Sequence, residues 1–140
     1  MKRVFLPVLL LASSLGCSSA PSQPPDPSSF PAEPFASVAG SAGKVHVELR
    51  ASPQPLAVGD DDLQLTITDT SGIPMDGLTV TLKPLMVAHG HGTSETTVSP
   101  EGGGKYLVTH VYLYMSGVWL LQIAVSGTVN DDAATEIELP

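Results

Sequence analysis

The sequence predicts an all-β sandwich of about seven strands, and three observations carry that reading. Apolar and polar residues alternate with period two from Lys44 onward, the signature of half-buried strands. Turn signals separate the runs: Gly59-Asp60, Ser71-Gly72, Asp76-Gly77, Gly102-Gly103-Gly104, Ser116-Gly117 and Asn130-Asp131. No stretch sustains the 3.6-residue stripe of an amphipathic helix. The alternating sets, in order, are Val45/Val47/Leu49, Leu63/Leu65/Ile67, Leu78/Val80/Leu82, Trp119/Leu121/Ile123/Val125 and Ile137/Leu139. Residues 44–140 are enough for one immunoglobulin-like unit, and the lone Trp119 is its expected core plug. The chain holds one Cys, so the disulfide of an antibody-type domain is absent.

Two segments precede this domain. Residues 1–16 read as a signal peptide: Lys2 and Arg3 form a positive start, and Val4–Ala12 is an apolar run. That run is too short for a bilayer, which takes about 20 residues. Ser14-Leu15-Gly16 before Cys17 resembles the lipobox of bacterial lipoproteins, with Ser14 where Leu is usual. The resemblance implies cleavage before Cys17 and its acylation. Two or three acyl chains hold a protein durably on a membrane. Ser18 in place of Asp resembles lipoproteins sorted to an outer membrane where the cell has one. Residues 17–43 carry six prolines amid Ser, Ala and Gly and read as the acylated Cys followed by a disordered tether. Phe30 and Phe35 are its only large apolar side chains.

Composition narrows the function classes. The chain has 140 residues, with 6 Lys and Arg against 14 Asp and Glu. Loss of Lys2 and Arg3 with the leader takes the net charge from −8 to −10. Such a protein lacks the cationic footprint of a nucleic-acid binder and is not drawn to anionic lipid by charge. No phosphate loop, nucleophile elbow or paired acid–base carboxylates stand out, so an enzyme is not expected. Asp60, Asp61 and Asp62 read as a solvated turn before a strand.

Chemistry concentrates where the alternation breaks, in Pro84-Leu-Met-Val-Ala-His-Gly-His-Gly-Thr-Ser94. Residues i and i+2 of an extended chain share a side, so His89 and His91 can face one target, and the glycines let Met86 join them. Met115 comes in a turn just before Trp119. Turns of a sandwich gather at its ends, so Met115 and the His-Gly-His loop can meet there. Thioether and imidazole are a soft-to-borderline ligand set that suits copper, thioether sulfur selecting Cu(I). Glu95 is the only carboxylate close by, too little for a hard cation. The alternative is that Met86 and Met115 fill core gaps and His-Gly-His is a polar loop. His46 lies on the polar face of its strand. By simple parity Tyr106, Val108, His110, Tyr112 and Tyr114 share one face of the next strand, a candidate interface, with Leu107, Val111, Leu113 and Met115 on the other.

The order Gly72-Ile-Pro74, Met86-x-x-His89-Gly-His91-Gly92, Gly104-Lys-Tyr106 and Met115-x-Gly117-x-Trp119 resembles the YtkA-like/FixH-like domain over residues 44–127. These are small bacterial membrane-anchored or lipoprotein modules with an immunoglobulin-like sandwich. The family motif commonly reads Met-Pro-x-Met-Gly-His-Gly; here Val87 replaces the Pro and His89 stands at the second Met. The resemblance implies a copper-linked role in carriage, buffering or oxidase assembly, with Met86, His89, His91 and Met115 as metal ligands. The other reading is a non-metal interaction or accessory module of an envelope complex, with a protein partner there.

Overall fold

The computed structural model describes residues 29–92 and 96–140. The signal peptide, Cys17, the first part of the tether and Glu95 lie outside the described residues. Nine strands form: β1 Ala36–Ala39, β2 Val45–Ser52, β3 Gly59–Asp69, β4 Thr79–Met86, β5 His91–Gly92, β6 Thr97–Gly102, β7 Lys105–Leu113, β8 Gly117–Ser126 and β9 Asp131–Leu139. They make two antiparallel sheets, ordered β1-β2-β3-β7-β6 and β5-β4-β8-β9. The sandwich expected from the alternation is therefore present, and β1 and the two-residue β5 are among the strands beyond the expected seven.

The alternating apolar sets point inward as period two requires. Val45, Val47 and Leu49 face Leu63, Leu65 and Ile67 within one sheet, and Leu82, Trp119, Leu121 and Ile123 answer from the other. Trp119 is fully buried in this aliphatic core, with its indole N–H donating to the Met115 carbonyl at 2.9 Å. Burial of each such large apolar side chain contributes about 1.5–3 kcal/mol.

Three expectations are corrected. The folded region starts before Lys44. Phe30 is only 9% exposed, Phe35 packs on the core, and β1 pairs with β2 from Ala36↔Leu49 to Ala39↔His46. Two side chains strap this segment down: Arg50 Nε donates to the Ala32 carbonyl at 3.1 Å, and Gln54 Nε2 to that of Glu33 at 3.0 Å. Tertiary partners thus offset the low strand propensity of a Pro-rich stretch.

The Tyr-rich face does not exist as one face. The β3–β7 register runs Asp61↔Val111 and then Leu63↔Val108, so β7 holds one extra residue opposite Asp62. His110 takes φ 62°, a left-handed conformation rare for a side-chain-bearing residue. This β-bulge inverts the parity of β7. Tyr106 and Val108 before it, and Val111 and Leu113 after it, all point into the core. Tyr106 is 1% exposed; its hydroxyl donates to the Met75 carbonyl at 2.9 Å and accepts from the Leu78 N–H at 3.1 Å. Tyr112 is left outside, paired across the sheet with Asp60.

The acidic run is not a solvated turn. Asp60, Asp61 and Asp62 belong to β3, and Asp61 points inward and is buried. Its Oδ1 accepts a long hydrogen bond from the Ala57 N–H, while Oδ2 has no partner among the described residues.

Candidate metal-binding site

Strand directions place the ends of β2, β4, β7 and β9 and the starts of β3 and β8 at one tip of the sandwich. Gly59 lies opposite Leu113, Met86 opposite Trp119, and Gly117 opposite Leu139. The Met/His loop and the Met115 turn are both at that tip, as turn clustering predicts.

The loop is a tight hairpin. After Met86 the chain turns over Val87–Gly90, with the N–H groups of His89 and Gly90 donating to the Met86 carbonyl at 3.3 and 3.0 Å. Gly90 supplies φ 66°, which a residue with a Cβ adopts only under strain. The chain returns as β5, with His91 beside Met86 and Gly92 beside Leu85. A Cβ at Gly92 would stand 2.7 Å from the Pro84 carbonyl oxygen, so the close return needs glycine.

His89 and His91 are brought together by this turn rather than by an extended chain. Both are exposed, and their rings stack with centroids 5.6 Å apart and planes inclined by 21°. On the far side of His91 lies Tyr114, its ring parallel to the imidazole within 6° and its hydroxyl 2.7 Å from Nδ1. Tyr114 in turn packs edge-on against Trp119 at 5.3 Å. Sequence reading placed Tyr114 on a β7 face and missed this contact. The available signal was its position beside Met115.

Both methionines are less exposed than the imidazoles. Met86 is 4% exposed and part of the core cluster, and its Cε reaches to the backbone of Gly117, 3.1 Å from where a Cβ would stand there. Met115 is partly buried against the same core. The four candidate ligands Met86, His89, His91 and Met115 thus come from two adjoining segments of one tip. His46 and His110 are not among them. His46 Nε2 lies 3.2 Å from Ser37 Oγ, on β2 near the opposite end, and His110 Nδ1 lies 3.6 Å from Asp60 Oδ2.

The donor set fits a soft-to-borderline metal better than a hard one. No group of three or more His, Cys, Asp or Glu is close enough to hold an ion among the described residues. The donors at the tip are two imidazoles and two thioethers, and thioethers bind without losing a proton. The Tyr114 contact engages Nδ1 of His91, and among the described residues Nε2 has no hydrogen-bond partner, the arrangement by which outer partners orient metal-bound histidines.

An all-β two-sheet module with its candidate ligands on end loops is the class this geometry defines. A DUF4426 family protein from Pseudomonas aeruginosa PAO1, solved by crystallography, has a similar fold. Its TM-score is 0.51 at 16% identity, over 69% of this chain and 91% of that one. The family model described as YtkA-like matches residues 41–124, and the chain belongs to the YtkA-like family. No curated protein matches the sequence.

Proposed function

We propose that this protein is a membrane-anchored extracytoplasmic lipoprotein that binds copper at the tip of its sandwich, for carriage, buffering or oxidase assembly. His89 and His91 supply imidazole nitrogens, and Met86 and Met115 supply thioethers. The observation that supports this most is the convergence of the His-Gly-His hairpin with the Tyr114–Met115 turn, joined by the 2.7 Å Tyr114–His91 contact. Mixed imidazole and thioether donors accept either copper oxidation state, and they do not need a thiolate. That suits an oxidising compartment, where paired thiols close to disulfides. The role is binding, not catalysis. An exposed site of few ligands takes copper and releases it to a partner offering more, so transfer proceeds by ligand exchange.

The test is titration of residues 29–140 with Cu(I) without oxygen and with Cu(II) in air, against competing chelators. The segment starts at residue 29 because Phe30 and β1 are part of the fold. One equivalent bound tighter than micromolar, about −8 kcal/mol, and lost on replacing His89 and His91, supports the reading. Binding no stronger than that of an unrelated histidine-bearing protein overturns it. The half-exposed Tyr112 at the same tip favours a second reading, a non-metal interaction module, which that negative result would leave standing.

A further inference from the structure

The chain enters the fold at the tip that carries the Met/His loop. β1 runs antiparallel to β2, so Ala36 lies beside Leu49 near the tip, and Ala39 lies beside His46 toward the opposite end. The residues before β1 are held to the end of β2 and the loop after it, Ala32 by Arg50 and Glu33 by Gln54. Eleven residues separate Cys17 from Ser29, a reach of at most about 40 Å even fully extended. The sandwich is nearly as long: the eleven residues of β3 span about 36 Å. A lipid anchor at Cys17 is therefore attached at the tip side of the sandwich, where the chain enters the fold.

The tip is also where apolar side chains remain uncovered. The large apolar residues left exposed among those described are Val58, Ile73, Val87, Tyr112 and Val118. All but Ile73 ring the tip: Val58 precedes Gly59, the Val87 N–H donates to the Val118 carbonyl, and Tyr112 lies two residues before Tyr114. Tyrosine with small aliphatic side chains suits the zone between headgroups and acyl chains. Asp60, Asp62 and Glu138 flank this rim and would be repelled by anionic headgroups.

We infer that this tip is a membrane-facing surface: the rim formed by Val58, Val87, Tyr112 and Val118 rests on a low-charge lipid surface and turns His89 and His91 toward the bilayer. This rests on the lipid anchor proposed above. Contact by so few side chains is weak alone, but the anchor makes it intramolecular, at an effective concentration of about millimolar. The exchange partner of the Met/His loop is then a protein embedded in that membrane, not one diffusing in the aqueous compartment.

The test uses the full chain, acylated at Cys17, on phosphatidylcholine vesicles. Acylation blocks the only native thiol, so Val118→Cys and Ile73→Cys each carry a single fluorophore at opposite ends. Energy transfer to headgroup acceptors is expected to be at least about twofold more efficient from position 118 than from 73, given the length of the sandwich. Spin-labelled lipid is expected to quench the label at 118 and not the one at 73. Equal or reversed efficiencies overturn the orientation. Quenching at 118 that survives Val58→Ser with Val87→Ser overturns the rim contact. An effect at 118 that grows with the surface density of chains marks a second copy as the occupant and overturns lipid docking. A chain that fails to float with the vesicles overturns the anchor and this inference with it, whereas a failed copper titration leaves the orientation intact.

Discussion

The Tyr114 hydroxyl stands 2.7 Å from Nδ1 of His91, and this contact ties the β7–β8 turn to the His-Gly-His hairpin. If His91 binds metal through Nε2, its Nδ1 keeps the proton and donates it to the tyrosine oxygen. Tyr114 is then a positioning residue that fixes the tautomer and the ring. Tyr114→Phe is expected to weaken Cu(II) binding about tenfold, at the low end of what outer partners of metal-bound histidines contribute. The melting temperature should fall by no more than a few degrees, since an exposed hydrogen bond contributes only about 1 kcal/mol. Chelator competition and calorimetry read the two effects separately; unchanged affinity removes Tyr114 from the site.

Replacing His89 and His91 together by Ala is expected to abolish Cu(II) binding and leave the fold intact. Both rings are exposed, and surface changes of this kind stay within about 0.5 kcal/mol. A large drop in melting temperature would instead show that the stacked pair holds the hairpin closed.

Met86→Leu separates ligand from core packing. Met86 is 4% exposed, so the near-isosteric change should cost less than about 1.5 kcal/mol. It is expected to weaken Cu(I) and spare Cu(II), because the thioether prefers the softer ion. Equal Cu(I) affinity in both proteins would make Met86 a core residue only.

The sandwich was legible because each strand with one buried face writes its parity into the sequence, as Val45/Val47/Leu49 and Trp119/Leu121/Ile123 do. Parity says nothing about where a strand takes an extra residue. The bulge at His110 left no mark in the sequence, and so Tyr106 was assigned outward although it is buried. Composition also misled at the domain's start. Six prolines describe the average character of residues 17–43, whereas Phe30 and β1 are ordered by Arg50 and Gln54, which lie farther along the chain. At the tip, clustering of turns brought Met86, His89, His91 and Met115 within view of one another. The Tyr114 contact depends on ring placement across two sheets, which spacing alone does not encode.

Asp131 is a structural latch at the end opposite the tip. Its carboxylate accepts from the N–H groups of Ala42, Lys44, Val45 and Asp132 at 2.7, 2.8, 3.2 and 2.9 Å, pinning the β1–β2 turn to the start of β9. Burial alone would raise its pKa, but these donors outweigh burial and hold it below the ordinary carboxylate value. The stabilisation is therefore complete above that ordinary value and is lost as pH falls through the lower folded one. Asp131→Ala leaves several N–H groups without their acceptor and is expected to cost about 2–4 kcal/mol in denaturant unfolding at pH 7.

Asp61 has the opposite sign. It is buried at the start of β3, one oxygen lacks a partner among the described residues, and burial pushes its pKa from 3.8 up to about 6. The Ala57 N–H offsets part of this rise, and the neighbouring Asp60 and Asp62 add to it. Between those two values the folded chain holds a proton that the unfolded chain has released. Stability therefore falls as pH rises from about 4 to about 6, by no more than about 1–2 kcal/mol once screening by nearby solvent is counted, and stays lower above that window. Asp61→Asn keeps an acceptor for Ala57 and carries no charge, so it is expected to match the native protein near pH 4 and to exceed it by up to that amount at pH 8. Melting temperatures of the two proteins across pH 4–8 measure the difference. An Asn variant less stable than the native chain at pH 8 would mean that the ionised carboxylate is held by favourable contacts, and that burial does not govern this position.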